Sequence, residues 1–148
     1  MSEDRKLMSE LWNDGWNEGL WAASWSKSIE GLTPQEAAWS PTPGRHSIWQ
    51  IVLHMCFWRE EALRRLEGRE KASAEVVSAN NFPPIAAVSA EAWETARARL
   101  VQTQSAVLAA MRDGPNDPAR LIYLVTHDSY HMGQINYLRA MLGKSPIE

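Results

Sequence analysis

The chain has 148 residues, of which 45% are hydrophobic and 22% are charged, a composition typical of a globular protein with one core. Its net charge of −3 argues against a nucleic-acid binder that depends on phosphate contacts. No apolar run approaches the roughly 18 residues of a membrane span, and the charged N-terminus lacks the apolar core of a signal peptide. The single cysteine excludes a disulfide framework, which fits a reducing cytoplasm. We therefore predict a single cytoplasmic domain over residues 1–148.

The first predicted helix runs from Glu3 to Glu30 and ends before Gly31, which is a typical residue after a helix C-terminus. Its apolar positions form a broad stripe that includes four tryptophans, Trp12, Trp16, Trp21 and Trp25. We interpret this stripe as packing against a core, and a contact face between two copies of the chain is the main alternative.

Two capping boxes then mark helix starts. Thr33 and Glu36 flank Pro34 and predict a short helix that ends before the prolines at 41 and 43. Ser47 and Gln50 form the second box and open a long helix that runs to about residue 67. This helix carries His54 at the edge of its apolar stripe, whereas Cys56 lies about 200° round the helix and points elsewhere.

The next stretch, Arg69 to Val88, is predicted to be irregular, with NNFPPI at its centre. Phe82 and the two prolines after it either cover the mouth of a helix bundle or form a plain surface connection. Ser89 then caps a third long helix, Ala90 to Arg112. This helix contains no histidine or cysteine, and we interpret it as scaffold.

The last long helix begins at Asp117-Pro118, ends at Gly143 and carries His127 and His131 one turn apart on its apolar face. Side chains at this spacing have Cβ atoms about 5–6 Å apart, so two imidazoles can reach one metal ion. Taken alone, two core histidines bonded to backbone or side chains explain the pair equally well. His54, facing inward on another helix, is the candidate third ligand.

Four long helices with no strand signal and no internal repeat predict an all-α fold, a four-helix bundle. A carboxylate-bridged di-iron bundle would require paired Glu-x-x-His motifs, which the chain lacks. The HExxH motif of zinc proteases is also absent, because no glutamate lies between His127 and His131.

Two segments, SIWQIVLHMCFWREEAL around His54 and HDSYHMGQINYLRAMLG around His127 and His131, resemble the DinB/YfiT-like family. The resemblance implies a bacterial four-helix bundle, in many members a homodimer, whose three histidines bind a divalent metal, commonly zinc or nickel. By position, His54, His127 and His131 carry over as the ligands. The better-understood members are thiol-dependent transferases or isomerases that use bacillithiol, mycothiol or glutathione. The resemblance does not specify a substrate for this chain.

Three neutral imidazoles leave an open position on a divalent ion, which is typical of a catalytic site. The ion would favour the deprotonated form of a thiol or a water at that position, for S-transfer to an electrophile or for hydrolysis. The predicted cofactors are therefore a divalent metal and a low-molecular-weight thiol as co-substrate. Three imidazoles suit zinc, nickel, copper and iron comparably.

Histidines that bind a metal usually donate their other ring N–H to a nearby acceptor. Asp128, next to His127, and Glu61, two turns after His54, can each orient a ligand, and Glu61 can also bind the metal itself. For both residues we favour a solvated or salt-bridged carboxylate.

Three further residues are weaker candidates. Trp58 and Gln134 are candidates for the pocket wall, although helix packing is the favoured role of Gln134. His46, just before the second long helix, is a minor candidate for a ligand or an acid–base group. No residue stands out as a general base.

We therefore favour a metal-dependent enzyme of the thiol S-transferase type, whose partners are a small-molecule thiol and an electrophile. The first alternative is a stress-responsive metal-binding or interaction protein without turnover. The second is a structural dimeric bundle whose histidines are core residues, because a fold does not determine a function.

Overall fold

A computed structural model describes residues 2–147, and within that range the structure is all-helical, with no strand. The prediction of an all-α fold is confirmed. In chain order the helices are α1 (Glu3–Asn17), α2 (Trp25–Ser28), α3 (Pro34–Ala38), α4 (Ile48–Leu66), α5 (Ala74–Asn80), α6 (Ala90–Asp113), a 3₁₀ helix (Ala119–Leu121) and α7 (Ile122–Met141).

The four long helices pack around one hydrophobic core. Both α1 and α4 contact both α6 and α7, so every long helix has two long neighbours. Each contributes a fully buried apolar side chain, namely Trp12, Met55, Leu100 and Ile135. The three short α-helices and the 3₁₀ helix are not part of this four-helix arrangement, so the four-helix prediction covers only part of the helical structure.

The predicted helix over Glu3–Glu30 is wrong, because α1 ends at Asn17 and the chain turns before α2. Gly19 has φ +75°, and a Cβ atom there would collide with the carbonyl oxygen of Ala22, so glycine is required in this turn. Trp21, with φ 61°, is fully exposed. Ser24 begins α2 by accepting the Lys27 N–H, although its sequence neighbourhood is compatible with a continuous helix.

Both predicted capping boxes are present. The side chains of Thr33 and Ser47 accept backbone N–H groups at the starts of α3 and α4, and Glu36 and Gln50 accept the reciprocal N–H groups. These local bonds satisfy donors that would otherwise have no partner at a helix start. They fix the entry into α4, which carries His54.

The prediction that Arg69–Val88 is irregular is wrong in its first half. Ser73 accepts the Val76 N–H and begins α5, a short helix with no buried residue. It lacks the apolar periodicity that predicts a helix from sequence. The segment 81–89 after α5 contains no helix. It packs against α4, where Gln50 and His54 contact it.

None of the helices in residues 2–147 combines the length and the apolar character needed to cross a membrane.

Candidate metal centre

The three predicted histidines lie together in the structure. His54 comes from α4, and His127 and His131 come from successive turns of α7. One ring nitrogen of each lies within 4.8 Å of the others, and the Nε2 atoms of His54 and His127 are 3.1 Å apart. His54 and His131 are buried, whereas the side chain of His127 remains 29% exposed.

The surrounding hydrogen bonds assign the tautomers of two of these rings. His54 Nδ1 lies 2.8 Å from the carbonyl oxygen of Asn81, and His127 Nδ1 lies 2.7 Å from Asp128 Oδ1. A carbonyl and an ionised carboxylate only accept hydrogen bonds. Both Nδ1 atoms therefore donate, which leaves a lone pair on each Nε2 of the neutral rings.

Gln134 assigns the tautomer of the third ring. Its Nε2 donates to the hydroxyl of Tyr130 at 3.1 Å, and its Oε1 lies 2.7 Å from His131 Nδ1. The amide oxygen accepts, so His131 Nδ1 carries the proton. The favoured interpretation of Gln134 as a packing residue is wrong, because this exposed side chain orients an imidazole.

The distance between the nitrogens of His54 and His127 fits a shared divalent ion. Two imidazole nitrogens that bind one tetrahedral zinc ion at about 2.0–2.1 Å lie about 3.3 Å apart, close to the 3.1 Å between His54 and His127. Burial, followed by the nearby His131, lowers the pKa of His54 to about 4. Burial also lowers the pKa of His131. These pKa values favour neutral imidazoles with available lone pairs.

Asp128 is completely buried and connects His127 to an ion pair. Its Oδ2 lies 2.7 Å from Arg59 Nε. Burial alone would raise the pKa of Asp128, but the charge of Arg59 and the hydrogen bond from His127 outweigh it and hold the pKa below its ordinary value. Asp128 is thus salt-bridged, as favoured from sequence, and it also orients His127.

Arg59 was missed from the sequence. It donates to the Leu100 carbonyl at 3.0 Å and to Thr103 Oγ1 at 3.2 Å on α6, and its guanidinium lies 4.8 Å from the centre of the Trp12 ring of α1. These contacts join α1 and α6 to Asp128 on α7. A usable signal was present, since Arg59 is four residues after Met55 and shares its buried helical face.

The segment after α5 covers the cluster. Asn81 accepts from His54 through its carbonyl and, at 2.8 Å, from Trp58 Nε1 through its side chain. Gln50 donates to the Pro83 carbonyl at 3.2 Å. Phe82 stacks on the His54 ring with centroids 4.1 Å apart. Of the two interpretations of this segment, the structure favours a cover over the site.

Two other candidates lie outside the cluster. His46 stacks on Phe82, with ring centroids 3.7 Å apart. Glu61 accepts the Ala72 N–H at 2.9 Å and lies 3.6 Å from Arg64. Within residues 2–147, neither belongs to the group whose ligand atoms converge.

A cavity of about 630 Å³ lies beside His127, between α4 and α7. That volume is within the range of small-molecule sites, about 300–1,000 Å³. Trp58 and Glu61 lie in its wall, as does the exposed Tyr123. His127 is therefore accessible to a small molecule from this side.

The family model of the DinB superfamily matches residues 20–135, a range that contains all three histidines. No curated protein and no solved structure gives a significant match to the chain.

Proposed function

The chain belongs to the DinB superfamily, and we propose on this basis that it is a divalent-metal-dependent enzyme of the thiol S-transferase type. His54, His127 and His131 would hold the ion, zinc or nickel, through their Nε2 atoms. The observation that carries the proposal is the convergence of one ring nitrogen from each of the three histidines, within 4.8 Å of one another, beside a cavity large enough for a small molecule that His127 lines. We also propose that the chain is one four-helix-bundle domain with short helices added.

The residues around the ligands hold them in position. Asn81, Asp128 and Gln134 each accept an Nδ1–H, which leaves every Nε2 free to bind an ion. Asp128 is the charged acceptor of the three, so its hydrogen bond holds the His127 ring most firmly. Its own position depends on Arg59.

A divalent ion held by the three imidazoles would have an open position and would lower the pKa of a thiol placed there. In the proposed reaction the thiol sulfur forms a bond to an electrophilic carbon, the leaving group departs with its electron pair, and the thiol proton passes to solvent. The protein's own Cys56 is not the nucleophile, because it is fully buried and burial raises its pKa to about 11.

A metal-binding or interaction protein without turnover remains the alternative function. Both functions require the histidine cluster. The cavity that reaches His127 favours the enzyme, because a protein that only stores or senses an ion needs no space for a second molecule beside it.

Turnover tests the proposal directly. Protein loaded with zinc or nickel is mixed with panels of low-molecular-weight thiols and electrophiles, and loss of free thiol is measured. We expect turnover that disappears with chelator, returns with metal, and falls at least about 100-fold in His54→Ala, which loses a ligand. His46→Ala, which alters a histidine outside the cluster, is the matched control. Metal-loaded protein that consumes no thiol in any combination would support the non-catalytic alternative.

Gln134→Ala is expected to weaken metal binding by about tenfold, because His131 loses the acceptor that orients it. Gln134 is exposed, so the thermal stability of the metal-free protein should not change. Competition with a chromophoric chelator measures the affinity. Gln102→Ala, at an exposed position of α6, is the control, and Gln134→Glu should retain tight binding because it keeps the acceptor. Equal affinity in wild type and Gln134→Ala would show that this hydrogen bond has no positioning role.

A further inference from the structure

Two arginines line the cavity at a distance from the histidines. Arg65 lies in the last turn of α4 and Arg120 in the 3₁₀ helix before α7. Both are exposed. Among residues 2–147, the side-chain hydrogen bonds and ion pairs do not involve either guanidinium, whereas Arg59, Arg99 and Arg112 each pair with a carboxylate.

Their places on the helices put them at the same end of the cavity. Arg65 follows His54 by eleven residues, about 16 Å along α4 at 1.5 Å per residue. Arg120 precedes His127 by seven residues and lies before the start of α7. The helices α4 and α7 run antiparallel, since later residues of α4 share the cavity with earlier residues of α7. Arg65 and Arg120 therefore lie on the same side of the histidines, at the same end of the cavity.

The cavity wall between the two ends is largely apolar and aromatic. It includes Trp58, Ala62, Tyr123 and Leu124. A ligand that reaches from the cluster to the arginines would thus contact mostly apolar surface along its middle, with Glu61 beside it, and two guanidiniums at its far end.

Two acidic residues, Glu61 and Asp117, lie in the same wall. Glu61 accepts the Ala72 N–H through Oε1, and its Oε2 lies 3.6 Å from Arg64 without a hydrogen bond. Asp117 accepts the Ala119 N–H at 3.0 Å. Within the described residues 2–147, neither carboxylate pairs with Arg65 or Arg120, so both guanidiniums are left available to a ligand.

We propose that Arg65 and Arg120 bind the anionic end of the thiol co-substrate, so that the cavity selects an elongated thiol with a carboxylate at the end opposite to the sulfur. This inference rests on the proposed function, because it takes the histidine cluster as the place of the sulfur. A guanidinium suits this role because it remains charged and offers several donors to a carboxylate.

Three thiols with the same six-carbon chain test the selection: mercaptohexanoate, mercaptohexanol and aminohexanethiol. The protein is loaded with Co²⁺, and the sulfur-to-cobalt charge-transfer absorption is titrated with each thiol. Exposed ion pairs contribute up to about 1 kcal/mol each, about fivefold in affinity. We expect mercaptohexanoate to bind about tenfold more tightly than mercaptohexanol, aminohexanethiol to bind most weakly, and the differences to shrink as salt is added.

The double variant Arg65→Gln/Arg120→Gln should bring mercaptohexanoate and mercaptohexanol within about twofold of each other and leave mercaptohexanol unchanged. Arg97→Gln, which removes an arginine that pairs with Glu94 on α6, is the control and should keep the preference.

The outcomes separate the two proposals. Equal affinity for the three thiols, or a preference that survives in the double variant, would overturn the assignment of an anion site and leave the proposed function intact. Absence of the charge-transfer band with every thiol would overturn the proposed function, and the inference that rests on it would fall too.

Discussion

Replacing Arg59 by methionine is expected to lower the free energy of unfolding by about 3–5 kcal/mol, because it leaves the carboxylate of Asp128 buried without its countercharge. Arg59 and Asp128 are both 0% exposed, so water cannot replace the lost partner. The substitution also removes the hydrogen bonds that join α4 to Leu100 and Thr103 of α6. Urea denaturation of the metal-free protein, monitored by circular dichroism, measures the change.

Two controls separate the buried charge from other effects of the substitution. In Arg59→Met/Asp128→Leu no unpaired charge remains, so much of the lost stability should return. Arg112→Met removes a pair with Asp113 whose side chains are both more than half exposed, and it should cost less than about 1 kcal/mol. A loss below about 1 kcal/mol in Arg59→Met would show that Asp128 is not held as a buried anion.

His127→Ala is expected to abolish stoichiometric metal binding. Wild-type protein should carry close to one divalent ion per chain after reconstitution with zinc or nickel, and the variant should retain less than about one tenth of that, since two imidazoles do not complete the usual set of at least three protein ligands. His127 is partly exposed and lies at the cavity edge, so the fold should survive. Elemental mass spectrometry measures the metal content of both proteins.

His46→Ala is the control for metal content, because it removes a histidine that stacks on Phe82 without joining the cluster. Unfolding curves of the metal-free proteins show whether His127→Ala remains folded. Wild-type protein that holds no metal after reconstitution with either ion would identify the three histidines as core residues, and the proposed enzyme would be rejected.

The helix starts at α3 and α4 follow from the sequence because their causes are local. Thr33 and Glu36, and likewise Ser47 and Gln50, satisfy each other's backbone donors within one turn. The break after α1 is different. The tryptophan stripe continues at helical spacing beyond Asn17, but the chain leaves the helix in a turn that contains Gly19 and Trp21, both with positive φ. The apolar pattern therefore does not predict that turn.

The amino-acid sequence by itself determined the all-helical class and the three candidate ligands, since hydrophobic periodicity is a local property and the motifs around His54, His127 and His131 resemble a known family. Only the tertiary structure decided what holds those imidazoles in place. Asn81 is 27 residues from His54, and Arg59 is 69 residues from Asp128. Helical spacing relates residues within one helix, whereas such contacts depend on how separate helices and a returning segment pack. The same reason explains why Arg65 and Arg120 become neighbours of one cavity only in the folded chain.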